Sequence, residues 1–466
     1  MFLYFDSKTE FIHDRKGAKQ NESKITDLAE ELYPFILGYQ DVLKSKTYGY
    51  GEQAYQYVKG LFQAEKRNIE KMCEAVTPST MQNLHHFVSE SPWAWEPVIE
   101  RVGGDLDRLF RESPERTGLL IDESGWRKAG KRSVGVARQY LGSLGKVDNG
   151  QVAVFASLVQ GEKVGILNTR LYLPDGWTSD RKRCERAGIP KAQRIFRTKP
   201  ELALEMVRAA RKQGIRYEWV GGDGLYGHDS KFRYALDDDG EHYVLDVHED
   251  ETVYLTEPHP YIPERTATRG RTPTRYRVAE PSTTGKAVAH ALTDADFQTY
   301  CFRQGTKGGK WRRVAVVDVS TWNGEEATAR HERLIISTNL DGKEMKYSLT
   351  NDRGLQDSWE ELLEQQMQRF WVEQSLKDAK SEVGMAEYQV RTWRAWHHHL
   401  TLTMLALLFM LQQKTRHQEA TPLLSCADIR FILAQTLPQR VVSKNDVLEV
   451  ITQRHQRRQS DLDRYT

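Results

Sequence analysis

The chain has 466 residues, 39% hydrophobic and 28% charged, which is too long for one ordinary core and too apolar for a disordered protein. Its 67 Lys+Arg nearly cancel its 65 Asp+Glu, excluding a histone-like or polybasic protein whose partner follows from net charge alone; any nucleic-acid footprint must lie in local charge. The four cysteines, Cys73, Cys184, Cys301 and Cys426, lack zinc-knuckle or redox spacing and read as free thiols in a reducing cytosol.

Residues 1 to about 110 read as helical, with Leu28, Leu32 and Phe35 and then Tyr55, Val58, Leu61 and Phe62 at three-to-four spacing. The start, Met1 to Asp6, meets charge at once and lacks a signal-peptide core. Two short helical patterns follow Pro78 and Pro92, from Met81 to Phe87 and from Trp93 to Val102. They permit a helix-turn-helix and equally an ordinary bundle, since the region is slightly acidic and has no basic recognition helix.

From Gly118 the texture becomes β-rich: Gly118 to Ile121, Gln151 to Leu158 and Val164 to Leu173. A helix is expected from about Pro200 to Lys212, then a strand at Tyr217 to Val220 entering a glycine turn, and another at His242 to Val247. Three strands, a helix, a strand, a short helix and a strand is the order of an RNase H-like α/β fold, a mixed sheet flanked by helices. Residues 250–345 interrupt it as a β-rich insertion. Helical patterns return at Asp357 to Ser381 and Thr392 to Gln413, and the tail carries two more around Ile429 and Val447. The predicted organisation is a helical region at 1–110, a catalytic fold at 111–249 and 346–411, the insertion at 250–345 and a helical tail at 412–466. The longest apolar run, Leu400 to Leu411, falls short of the ~20 residues needed to span a bilayer. It predicts a buried helix, and no membrane partner is expected.

Positive charge is blocked. Ser124 to Lys146 holds six basic residues (Arg127, Lys128, Lys131, Arg132, Arg138 and Lys146) and no acid; Arg181 to Arg216 holds twelve against three acids, and Arg265 to Arg313 eleven against three. Together these suggest a polyanion track. The stretch from Arg303 to Trp311 interleaves glycines with Lys307, Lys310 and an aromatic, a mixture suited to phosphate contact and base stacking.

Asp122 follows Leu119, Leu120 and Ile121, so it is expected at the end of a buried strand, a costly place for a charge without a metal or partner. Asp223 ends the next strand among Gly221, Gly222 and Gly224, which permit a tight turn and close approach of a substrate backbone. In the later helix Arg369, Glu373 and Lys380 fall on one face, because offsets of four and seven residues nearly complete whole turns. Three carboxylates on two strands and a helix can hold two Mg²⁺ ions about 4 Å apart, the arrangement of two-metal phosphodiester chemistry. Oxygen-only ligation favours Mg²⁺ or Mn²⁺ over zinc. His397, His398 and His399 point ~100° apart on a helix and cannot jointly chelate one ion.

These residues resemble bacterial insertion-sequence transposases of the DDE superfamily, in the branch whose last acid lies in a Tyr-Arg-Glu-Lys signature. The resemblance runs through Asp122-Glu123-Ser124-Gly125, Lys131, Ser133 to Val136, Gln139-Tyr140-Leu141-Gly142, the Pro190 region, Arg197 to Leu204, Asp223 to Gly227, and Arg369, Glu373 and Lys380. It implies a catalytic, metal-binding triad of Asp122, Asp223 and Glu373, with Arg369 and Lys380 as phosphate contacts. It also implies Mg²⁺ as cofactor, two ions per site, with Mn²⁺ as a substitute. The expected partners are transposon-end and target double-stranded DNA, engaged as a homodimer in the bacterial cytoplasm at the nucleoid. Lys131, Arg132, Lys307 and Lys310 are further DNA-binding candidates. Trp311 and Trp322 are candidates for stacking on a flipped base or for β-strand core positions. The signature's tyrosine falls on Gln366, a departure, and Glu382 is a rival third acid without an arginine four residues earlier. The alternatives are a domesticated DNA-binding protein that no longer cuts, and a stand-alone nuclease without strand transfer.

Overall fold

A computed structural model of the chain describes residues 27–265, 272–305, 308–352, 357–441 and 443–463. Among the described residues five helices come first: α1 (Leu28–Leu37), α2 (Gly51–Gln63), α3 (Ile69–Ala75), α4 (Met81–Ser89) and α5 (Glu96–Phe110). Asn68 and Thr80 start α3 and α4 by accepting the backbone N–H of Lys71 and Asn83, satisfying donors that a helix start leaves unpaired. The buried face of α5, with Val98, Val102 and Leu106, lies on the large sheet, whereas α4 packs on other helices. One continuous core runs from Leu32 and Phe62 through Val102 to Leu120 and Phe155.

The sheet begins with β1 (Gly118–Arg127), β2 (Ala137–Leu141), β3 (Lys146–Gln160) and β4 (Lys163–Leu171). After short helices α6 (Asp175–Thr178) and α7 (Arg181–Arg186) comes α8 (Lys199–Gln213), started by a reciprocal Thr198–Glu201 capping box. Then follow β5 (Trp219–Gly222), α9 (Gly224–Gly227), α10 (Ser230–Asp238) and β6 (Tyr243–Val247). β1 is antiparallel to β3, which is antiparallel to β4, while β5 and β6 run parallel to β1. The order β4-β3-β1-β5-β6 is that of the RNase H-like fold expected from the sequence, with β2 added as a hairpin on β3.

The segment after β6 contributes β7 (Thr252–Val253), β8 (Thr283–Thr284) and α11 (Gly285–Ala291), then β9 (Gln298–Gly305), β10 (Gly308–Thr321), β11 (Arg330–Thr338) and β12 (Met345–Thr350). Its long strands prolong the same sheet: β12 pairs antiparallel with β6, and β11, β10 and β9 follow in turn. A second cluster, including Val253, Val288, Val319, Leu334 and Ile336, gives this part its own core. The chain returns through α12 (Trp359–Ser381), capped by Ser358 and Glu361, and α13 (Trp393–Arg416), and ends in α14 (Cys426–Thr436) and α15 (Lys444–Asp463). No described helix is long and apolar enough to cross a membrane.

The three histidines of α13 join the layers. His397 Nδ1 lies 2.9 Å from the Trp393 carbonyl oxygen, His398 faces the carbonyls of Val88 and Trp93, and His399 Nδ1 lies 2.9 Å from the Tyr57 hydroxyl. Burial pushes all three down, to about 3, 4 and 3, so they pack as neutral rings, His398 stacked on Trp93 with centroids 3.7 Å apart.

One glycine fixes how closely the sheet edge is approached. A Cβ on Gly227 would lie 1.8 Å from the backbone oxygen of Asp246, so only a bare α-carbon lets α9 rest on the end of β6. Gly227→Ala is expected to lower stability by about 3 kcal/mol or more, checked by urea unfolding; a loss below 1 kcal/mol would show that α9 can move away freely.

Candidate active site

The sequence places Asp122 at a strand end, and the structure corrects this in an informative way. β1 continues to Arg127 alongside β3, but its parallel partner β5 stops after Ile121↔Gly222. Asp122 is therefore the first residue of β1 beyond that parallel pairing. Asp223 directly follows Gly222, and Asp246 follows Leu245, the register partner of Gly222 on β6. Equal register sets the three carboxylates in a row across adjacent strands, where the departing chain leaves a cleft.

Asp223 starts α9, its carboxylate accepting the Leu225 N–H at 3.0 Å. Glu123 accepts the Lys199 ammonium at 2.8 Å and the Tyr226 hydroxyl at 3.0 Å. Helix α12 crosses the cleft mouth and contributes Arg369, whose guanidinium reaches Glu373 at 2.8 Å, Asp246 at 3.3 Å and Asp223 at 3.7 Å. Lys380 donates to the Gly125 carbonyl at 3.3 Å. The expectation that Arg369, Glu373 and Lys380 share one face of a helix packed on the sheet is met, and all three line the cleft with Asp122 and Asp223.

The electrostatics are those of crowded negative charge. Burial, then the neighbouring Asp223, push Asp122 up to about 7, against the pull of Arg369. Burial and Glu123 raise Asp223, and burial raises Asp246. Burial also lowers the Lys380 ammonium, with Asp122 opposing the shift. Five carboxylates (Asp122, Glu123, Asp223, Asp246 and Glu373) gather here, against Lys199, Arg369 and Lys380 and the Lys377 that also lines the cleft, so acids outnumber cations. Carboxylate oxygens of Asp122, Glu123 and Asp223 lie within 4.8 Å of one another. An oxygen-only donor set of crowded carboxylates fits a divalent cation such as Mg²⁺ or Mn²⁺. Glu373 stands outside that group, its carboxylate engaged by Arg369 and 54% exposed.

The other sequence candidates are distributed differently. Glu382, the rival acid, pairs with Arg430 of α14 at 3.0 Å and does not line the cleft. Lys131 and Arg132 are exposed on the loop after β1. Lys128, from the same basic block, is tucked away: its ammonium donates to the Tyr388 carbonyl at 2.7 Å, and burial pushes it down to about 7. Lys310 and Trp311 are exposed on β10, and Trp322 donates its indole N–H to the Glu326 carbonyl; none of them lines the cleft. Lys307 lies outside the described residues. Glu123, Lys199 and Asp246 were not assigned to the site from the sequence. Asp246 carried the same signal as Asp122 and Asp223, an acid ending an apolar run, Val244-Leu245.

The fold and site together define an RNase H-like protein with an acidic centre at the ends of its parallel strands. A family model described as DDE superfamily endonuclease matches residues 52–309, more than half of the chain, and the chain belongs to this superfamily. It is also similar to the probable transposase for insertion sequence element IS701 of Microchaete diplosiphon, 30% identical over 197 residues. That alignment covers 41% of this chain and 47% of the relative, so the chain spans about half the length of the curated protein it matches. The family match includes Asp122 and Asp223 and ends before Glu373.

The raised Asp122 carboxyl has a consequence for stability. Because its folded value lies above the unfolded ~3.9, the folded state holds the proton more tightly, and stability is lost as pH rises towards and through 7. Asp122→Asn is thus expected to raise Tm by ~2–4 °C at pH 8 without divalent ions, with the gain shrinking towards pH 4. A pH-independent difference in thermal scans would contradict this origin.

Proposed function

We propose that this protein is a DNA transposase that binds transposon-end inverted repeats, cuts DNA with divalent metal ions and joins the freed 3′-hydroxyl to target DNA. The observation that carries the reading is the row of Asp122 and Asp223 at the open end of the parallel strands, faced by Arg369 and Glu373 of α12. Within a DDE superfamily fold, such a cleft suits phosphodiester chemistry.

Asp122 and Asp223 hold the cations, and Glu373 is the third catalytic acid, completing a site for two Mg²⁺ ions or Mn²⁺ in their place. When bound, these ions supply Lewis-acid activation of an attacking oxygen and charge stabilisation of a leaving one. Arg369 and Lys380 orient the scissile phosphate from the α12 side. Lys199 and Tyr226 fix Glu123 beside the pair, so that its charge adds to the field felt by the cations. Lys131 and Arg132 extend the cationic surface for backbone contact, and Lys307, Lys310, Trp311 and Trp322 place further contacts on the insertion. The helical region 1–110 recognises the ends, with residues 111–249 and 346–411 as catalytic unit, 250–345 as insertion and 412–466 as tail. Two protomers act together, since joining two ends requires two active sites, and the reaction takes place on nucleoid DNA in the cytoplasm.

Incubating the protein and Mg²⁺ with a labelled duplex carrying the inverted repeat that flanks its gene, followed by a denaturing gel, tests this. Asp122→Asn, Asp223→Asn and Glu373→Gln are each expected to reduce cleavage by at least ~10³-fold while binding stays within about threefold. Glu382→Gln is expected to cut normally; the reverse pattern for Glu373 and Glu382 would move the third acid. Cleavage without joining would favour a nuclease, and specific binding without cleavage by the unaltered chain would favour a domesticated DNA-binding protein. Lys131→Ala and Arg132→Ala should each reduce the slope of log affinity against log salt by ~1, measured by fluorescence anisotropy.

A further inference from the structure

The guanidinium of Arg369 is shared among three carboxylates, and the one that takes its Nε, Asp246 at 3.3 Å, has no part in the triad. Asp246 is itself held from behind. Its Oδ1 accepts the Ser348 hydroxyl at 2.7 Å, the Ser348 oxygen accepts the Gln366 side-chain N–H at 2.8 Å, and the Gln366 amide oxygen accepts the Ser337 hydroxyl. Gln366, Ser348 and Ser337 are all buried. Gln366 and Arg369 lie one turn apart on α12, while Ser337, Ser348 and Asp246 sit on β11, β12 and β6. The chain of hydrogen bonds therefore ties the catalytic helix to three neighbouring strands of the sheet.

We propose that Asp246 is a positioning residue of the metal site, acting through Arg369. This rests on the reading of Asp122 and Asp223 as cation ligands. With Asp246 present, the guanidinium is anchored on its Nε side and only part of its charge leans on Asp223 and Glu373. Without it, the full positive charge falls on those two carboxylates and competes with an incoming cation for their oxygens. Gln366, where the family signature has tyrosine, belongs to this support: its amide is spent inside the protein and is not available to DNA. A buried amide that both donates and accepts suits a position between two serines.

The test is Mn²⁺ binding to the full-length protein, read as free Mn²⁺ by electron paramagnetic resonance, in a double-mutant cycle. Circular dichroism and Tm confirm folding of each variant. Asp246→Asn keeps the size and the Ser348 contact but removes the charge, and is expected to weaken Mn²⁺ binding ~10-fold. In an Arg369→Gln background the same change should weaken it less than ~2-fold, because the competitor is gone. Gln366→Leu should weaken binding ~3-fold in the unaltered background alone. Equal losses in both backgrounds, as expected if Asp246 ligates the ion or only adds bulk charge, overturn the proposal, and so does no loss in either. If the unaltered protein shows no Mn²⁺ binding sensitive to Asp122→Asn, the metal reading falls and the positioning role with it; if that binding is present and Asp246→Asn leaves it unchanged, only the positioning role falls.

Discussion

Carboxylates set side by side where the parallel pairing of adjacent strands runs out repel one another, and much of the surrounding structure serves to keep them there. Register alone places Asp122, Asp223 and Asp246 in a row. Cations moderate the crowding: Arg369 of α12 reaches Asp223 and Asp246, Lys380 of α12 feels the charge of Asp122, and Lys199 from the start of α8 holds the adjacent Glu123. The compensation is incomplete, and Asp122 answers by holding its proton up to about 7. A site that strains its own acids in this way is poised for a multivalent cation, because the cation relieves the repulsion that folding has imposed.

The need to hold α12 in place explains the rest of the architecture. Helix α12 supplies both a counter-charge and a candidate catalytic acid, so its position relative to the strand ends must be exact to within a fraction of a side chain. Apolar packing of Leu362, Leu363, Val372 and Leu376 seats it on the sheet. The polar chain through Gln366 and Ser348 adds direction, which hydrophobic contact does not give. The strands that follow β6 in the chain take part because β12 pairs with β6 and carries Ser348 opposite Asp246. On the other side, α13 brings its neutral histidines against Trp93 and Tyr57, so the amino-terminal helices share the core of the catalytic fold.

Much of this was legible in the chain. Apolar runs ending in Asp122 and Asp223 marked the site because a charge at the end of a buried strand needs a reason. Helical spacing put Arg369, Glu373 and Lys380 on one face, and the strand and helix order pointed to the RNase H-like sheet. The sequence reading was least accurate where partners come from far away. Lys128 looked like one more exposed cation in a basic block, but it is buried against Tyr388, 260 residues on. Glu123 looked like the neighbour of an important acid until Lys199 and Tyr226 closed around it.

Sequence by itself determined what depends on local periodicity and covalent order: the helices, the apolar strands, the acids that end them and the spacing along α12. Only the tertiary structure decided which of those acids share one field. That is set by strand register and by which side chain fills the space between strands, and both depend on contacts between residues far apart in the chain, several of them more than a hundred positions. The role of Gln366 shows the difference most clearly. In the sequence it is a missing tyrosine; in the folded chain it is the amide that ties α12 to the sheet.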